Sequence, residues 1–208
     1  MDDKIIEVRG ATVELEGVPV LRDLSLMVER GEVVAVVGPN GSGKSTLLRC
    51  LGGLVPVSAG SVEVFGAPPV DGPAFWRRVA WAADEPAWYP GLTAREHLEL
   101  MRAVHGEPRL EVEAALEVFG LVERADAPPL NLSTGQRQRL ALAAALLRPS
   151  ELLLLDEPER GLDAAFRERL GALLTGYAAV GGTVVTATHD AALATGAHQV
   201  FPGNQPTT

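Results

Sequence analysis

Residues 38–46 read Gly-Pro-Asn-Gly-Ser-Gly-Lys-Ser-Thr, between the wholly apolar run 33–37 and a helix-like run over 45–54. An apolar run of that length reads as a strand buried on both faces, and a strand, a glycine-rich turn and a helix in that order make the first half of a βαβ unit. The spacing G-x-x-x-x-G-K-[ST] gives the turn a chemical meaning. Gly38, Gly41 and Gly43, with Pro39, Asn40 and Ser42 between them, let the backbone approach a phosphate and turn its N–H groups toward it, where the helix N-terminus adds the positive end of its dipole. Lys44 supplies a point charge for β- and γ-phosphates, the Ser45 hydroxyl can ligate Mg²⁺, and Thr46 completes the motif. An ordinary glycine-rich turn accounts for the glycines but not for a lysine and two hydroxyls at these offsets.

Comparable buried-strand patterns recur at 79–83, 152–155 and 183–187, with a last strand near Val200 and helical patterns such as 164–177 between them. Residues 5–15 and 61–65 carry β-branched runs bounded by Gly and Pro, which suits antiparallel strands. Between 84 and 150 strand patterns give way to helix-like segments at 93–104, 110–119 and 134–147, the first with Thr93 and Glu96 spaced as a capping box. The expected fold is α/β: a phosphate-loop core on a mostly parallel sheet, an N-terminal antiparallel β subdomain, and a helical subdomain over about residues 84–150 inserted in the core. The expectation is a single domain over 1–208, with no room after the last strand for a regulatory domain.

Composition removes several classes of function. Eighteen basic against twenty-seven acidic residues give a net charge of −9, which repels nucleic acid and anionic lipid. No apolar stretch reaches the ~18 residues of a membrane span, and the N-terminus lacks the pattern of a secretory signal, so the expected location is cytoplasmic. Cys50 is the sole cysteine, which rules out an intrachain disulfide and suits a small buried apolar residue. The four histidines lack metal-ligand spacing.

The strand pattern 152–155 ends in Asp156-Glu157. An acid at the C-terminal end of a buried parallel strand points into the crevice where such sheets bind ligands. Asp156 can hold Mg²⁺ there, and Glu157 can orient and deprotonate an attacking water. An acidic pair alone is weak evidence; beside a phosphate loop it gains weight.

Phosphate loops serve kinases, GTPases and helicases as well, and the choice among them falls to Leu132-Ser133-Thr134-Gly135-Gln136. This segment resembles the LSGGQ signature of the ABC ATPases, with Thr134 in place of one glycine. Ser133 and Gln136 also have capping-box spacing, and a helix N-terminus with a free hydroxyl and Gly135 can receive a γ-phosphate. Residues 156–163, Asp-Glu-Pro-Glu-Arg-Gly-Leu-Asp, resemble the family's Walker B and D-loop segment, with Asp163 as the D-loop aspartate. Thr188-His189-Asp190 resembles its switch-histidine segment.

The resemblance implies that His189 contacts the γ-phosphate and Glu157 polarises the water. It also implies that two ATP molecules are sandwiched between the phosphate loop of one subunit and the signature helix of another. The implied partners are a second ATPase subunit, identical or homologous, and an integral membrane permease that would hold the chain on the inner face of the cell membrane. The rival within the family is a soluble ATPase acting on nucleic acid or ribosomes; its usual coiled-coil or zinc insertions are not visible here. The chain is similar to short bacterial ATPase subunits, including those of haem-export systems.

Two positions depart from the family pattern. The aromatic residue that stacks on adenine is replaced by Leu15, with no aromatic residue before Phe65, so apolar contact from Leu15 or Val20 must serve. The glutamine that links Mg²⁺ to the permease contact is replaced by Asp84, whose carboxylate can still ligate Mg²⁺. Phe75, Trp76, Trp81, Trp88 and Tyr89 cluster around that loop; Trp81 is the best core candidate, while Trp88 and Tyr89 either pack the helical insertion or face a permease.

Overall fold

The computed structural model describes residues 3–83, 87–195 and 197–202. Strands β3 (Val33–Val37), β5 (Val79–Ala82), β6 (Leu152–Asp156), β7 (Thr183–Thr188) and β8 (His198–Val200) form a parallel sheet in the order β5-β6-β7-β3-β8. Strands β1 (Lys4–Leu15), β2 (Val18–Glu29) and β4 (Ala59–Val64) form a separate antiparallel sheet in the order β2-β1-β4. The α/β class and both sheets are as the sequence leads one to expect.

Strand β2 is a strand the sequence reading does not name, although Leu24, Leu26 and Val28 alternate inward along it. It returns from β1 through Glu16 and Gly17, both at positive φ (51° and 79°), the geometry of a two-residue hairpin turn. Helix α1 (Lys44–Leu51) ends sooner than its apolar pattern suggests. Gly53 follows at φ 71°, and a Cβ there would press on the backbone of Pro69 at 2.8 Å.

β6 is buried throughout, and its alternation divides the interior. Leu152 and Leu154 face a core shared with α1 and the antiparallel sheet. Leu153 and Leu155 face a second core built with the helices. Helices α3 (Ala94–His105), α4 (Val112–Val118) and α5 (Thr134–Leu147) lie in sequence between β5 and β6 and close that second core around Leu98, Leu116, Phe119 and Leu140. Helix α6 (Ala164–Ala179) completes it through Phe166, Leu170 and Leu174. Cys50 is buried on α1, and desolvation pushes its thiol up to about 11, leaving it a packing residue.

The aromatic residues divide between packing and surface. Helix α2 (Pro73–Arg78), which the sequence reading passes over, carries Phe75 and Trp76; with Phe65 and Trp81 they make a run of edge-to-face ring contacts. Trp81 is only half-buried rather than core, because β5 is the sheet's edge strand and its outer side has no neighbouring strand among the described residues. Trp88 and Tyr89 flank His97, whose Nδ1 donates to the Thr93 carbonyl (2.8 Å) while Nε2 accepts the Tyr89 N–H (3.0 Å).

Candidate functional site

The turn between β3 and α1 forms a concave cradle lined by Asn40, Gly41, Gly43, Lys44, Ser45 and Thr46, with Val20 on one wall and Glu157 on another. Gly43 is fixed there twice over: its φ is 94°, and a Cβ would lie 2.6 Å from the Leu21 side chain. At the entrance a Cβ on Gly38 would fall 2.5 Å from Ser42 Oγ. That Ser42 hydroxyl is buried without a partner among the described residues, an unmet hydrogen-bonding group in a loop whose geometry suits phosphate oxygens. Lys44 is only 4% exposed, and its Nζ folds back to donate to the Gly38 carbonyl (2.9 Å) and the Pro39 carbonyl (3.2 Å). Weak neutral acceptors thus hold the ammonium where a phosphate oxygen would exchange for them on stronger, charge-assisted terms.

Ser45 Oγ donates to Asp156 Oδ1 at 2.9 Å, so the end of β6 meets the start of α1. A hydroxyl and a carboxylate oxygen side by side are hard donors of the kind Mg²⁺ takes. The next residue, Glu157, sits at φ 47°, left-handed backbone that a glutamate adopts only under constraint, with its N–H donating to the Ala187 carbonyl at 2.9 Å. That bend turns the chain off the strand and brings Glu157 into the cradle wall.

His189 follows β7. Its side chain is 59% exposed, with Nδ1 3.3 Å from Glu159 Oε1 and 4.0 Å from Glu157 Oε1. Glu159, a 4%-exposed carboxylate among these groups, carries no signal in the sequence beyond its place in the Asp156-to-Asp163 segment.

The signature residues stand apart from the cradle's lining. Ser133 caps α5 as the capping-box spacing leads one to expect: its Oγ accepts the Gln136 N–H (3.2 Å), and Gln136 Oε1 accepts the Ser133 N–H (3.0 Å). Ser133 and Thr134 are exposed. Gly135 packs so closely on Gly161 that a Cβ would be 2.5 Å from its carbonyl oxygen, which ties the signature turn to the segment after β6. Asp163 is engaged within its own chain, capping α6 through the Phe166 N–H (2.8 Å) and pairing with Arg139 (2.6 Å). Leu15 lies at the β1–β2 hairpin, 41% exposed, and Val20 rather than Leu15 lines the cradle. Asp84 lies outside the described residues.

Beyond the cradle, an apolar groove of about 250 Å³ runs between the end of β5, residues 87–89, α3 and α5, lined by Trp81, Trp88, Tyr89, His97, Met101 and Ala144 among others.

Sheet order and cradle together define a phosphate-loop nucleotide-binding protein. Comparison with known proteins narrows this class. The family model described as "ABC transporter" matches residues 21–160. The cytochrome c biogenesis ATP-binding export protein CcmA of Bordetella bronchiseptica is 44% identical over 171 residues, covering 81% of this chain and 76% of that protein. A second protein of that name, from Cupriavidus metallidurans, is 37% identical over 200 residues, covering 95% of each. A solved structure described as the ATP-binding subunit of an ABC transporter superposes with a TM-score of 0.82 at 30% identity, covering 96% of this chain and 87% of that one. The chain belongs to the ABC transporter family, as an ATP-binding, ATP-hydrolysing subunit that drives a membrane transporter.

Proposed function

We propose that the chain hydrolyses ATP at a composite site completed by a second copy or a homologous subunit. The observation that carries this reading is the separation described above: the cradle's lining includes Lys44, Ser45 and Glu157 but none of Ser133, Thr134, Gly135 and Gln136. One chain has a phosphate-gripping surface and a separate helix N-terminus with an exposed capping hydroxyl, each suited to one side of a terminal phosphate.

In this reading residues 38–46 wrap the phosphates, Lys44 exchanges its carbonyl partners for β- and γ-phosphate oxygens, and Val20 and Leu15 give the base apolar contact. Ser45 and Asp156 would hold Mg²⁺, with Asp84 as a further ligand. The ion's contribution when bound is to neutralise charge on the phosphates. Glu157 orients the attacking water and takes its proton, and His189 contacts the terminal phosphate. Ser133, Thr134, Gly135 and Gln136, with Asp163, face the nucleotide of the partner. The chain acts as one ATPase domain, with the helical part over about 84–150 inserted between β5 and β6.

A separate membrane permease docks on the groove beside Trp88 and Tyr89, an aromatic, half-open surface of the kind protein interfaces favour, and holds the chain peripherally at the cytoplasmic face of the membrane.

The test is Glu157→Gln. Turnover falls by about 10²–10⁴-fold, the range for losing a general base, while nucleotide binding persists. With Mg²⁺ and ATP the variant runs as a dimer in solution or with its membrane partner. Unchanged turnover removes Glu157 from its role, and a strictly monomeric ATP complex in both settings removes the composite site.

A further inference from the structure

Next to the cradle the chain buries a carboxylate for which the roles above have no use. Glu159 lies on the turn between β6 and α6, and its Oε1 accepts the Thr188 hydroxyl (2.6 Å) and the His189 N–H (3.2 Å). The same oxygen is 3.3 Å from His189 Nδ1, while Oε2 is buried with no partner among the described residues. A half-satisfied buried carboxylate is costly, and fastening the turn at 188–190 could be done by a neutral acceptor. Other bonds fasten that turn as well: Thr188 Oγ1 accepts the Asp190 N–H (2.9 Å), and Asp190 pairs with Arg167 (2.7 Å). What remains for the charge of Glu159 is the exposed imidazole.

We propose that Glu159 is a positioning residue for His189, holding the Nδ1 side of the ring so that Nε2 is presented to the nucleotide. The proposal rests on the reading of His189 as a phosphate contact. A carboxylate and a phosphate oxygen both only accept hydrogen bonds, so a ring set between them carries a hydrogen on each nitrogen: the close approach of Nδ1 to Oε1 sets the ring's direction and leaves Nε2–H for the phosphate, with the Glu159 charge balancing the imidazolium. Contacts of this kind are often long before the substrate arrives and shorten when it binds. The turn that bears Glu159 is itself braced against α5, because the Gln138 amide donates to the Pro158 carbonyl at 3.1 Å and Gly135 rests on Gly161. The signature helix, Glu159 and His189 thus form one contiguous set of contacts.

The test is a cycle on the full chain: Glu159→Ala and His189→Ala, singly and together. Glu159→Ala lowers kcat by about 10–10²-fold with KM for ATP within about twofold, as for partners that orient a working histidine. Because Glu159 acts through the ring, the double variant falls no more than about twofold below His189→Ala alone. Losses that multiply overturn the proposal.

The ring reports directly through ¹⁵N spectra of histidine-labelled protein, which has four histidines to resolve. With a non-hydrolysable ATP analogue bound, both ring nitrogens of His189 carry hydrogen in the wild type, and Glu159→Ala loses that doubly protonated state; an unchanged spectrum overturns the proposal. Should the alanine variant not fold, Glu159→Gln preserves shape and an acceptor oxygen. The Nδ1 hydrogen must then persist with kcat within about tenfold of wild type, and its loss with wild-type turnover overturns the positioning role. If His189→Ala turns over at the wild-type rate, the phosphate-contact reading itself has failed. If His189→Ala is slow and Glu159→Ala is not, the positioning role alone has failed.

Discussion

The phosphate cradle and the signature turn are both helix N-termini, yet the chain treats them in opposite ways. At α1 the key side chains are turned inward: Lys44 is held by carbonyls of its own loop and Ser45 by Asp156, across the sheet from a separate strand. At α5 the hydroxyl of Ser133 is exposed and, among the described residues, bonded within its own capping box, although the backbone just behind it is clamped to Gly161. A surface with long-range internal partners is shaped before its ligand arrives. One with local partners on a rigid footing is built to meet something outside the chain.

The sharpest way to break this contrast is to disable the two surfaces in different chains. Lys44→Ala removes the cradle's charge, while Ser133→Asp keeps a good helix cap but sets a carboxylate against the phosphate. Each variant alone loses about 10²-fold or more in turnover, and mixing the two restores at least about tenfold, because a mixed pair has one intact composite site. Absence of recovery in mixtures shown to contain mixed dimers would mean that cradle and signature serve one site within one chain.

A smaller effect separates the structural task of Ser133 from its chemical one. Ser133→Ala loses the acceptor for the Gln136 N–H, costing about 1 kcal/mol and lowering Tm by about 2–4 °C. Affinity of a single chain for ATP, measured by titration, stays within about twofold of wild type, since the signature is not part of that chain's cradle. A parallel drop in single-chain affinity contradicts the separation.

The smallest effect concerns the base. With Val20 on the cradle wall, Leu15 exposed at the hairpin and no aromatic residue before Phe65, ATP and GTP turn over within about tenfold of each other, since apolar contact discriminates weakly where no hydrogen-bonding site is built. A strong ATP preference in competition assays would point to a base contact beyond these residues.

How far the sequence foretold all this depends on how local each feature is. The cradle and both capping boxes were legible because a few adjacent residues fix their own geometry, β6 because an apolar run without interruption leaves few alternatives, and β7 because its valines and threonines are β-branched. The half-burial of Trp81 was not, since it follows from the place of β5 at the sheet's edge, and strand order is not written in any short segment. Helix α2 is six residues long, too short for its periodicity to stand out. Glu159 escaped notice for the same reason as Trp81: a carboxylate in a turn reads as solvated until a strand 30 residues away brings Thr188 and His189 against it.

The left-handed backbone at Glu157 carries one last consequence. A glycine would occupy that position without strain, and relieving it would stabilise the folded chain by about 1 kcal/mol. Folding alone would therefore choose the residue with no side chain where the proposed chemistry requires a general base, so stability and turnover pull this position in opposite directions.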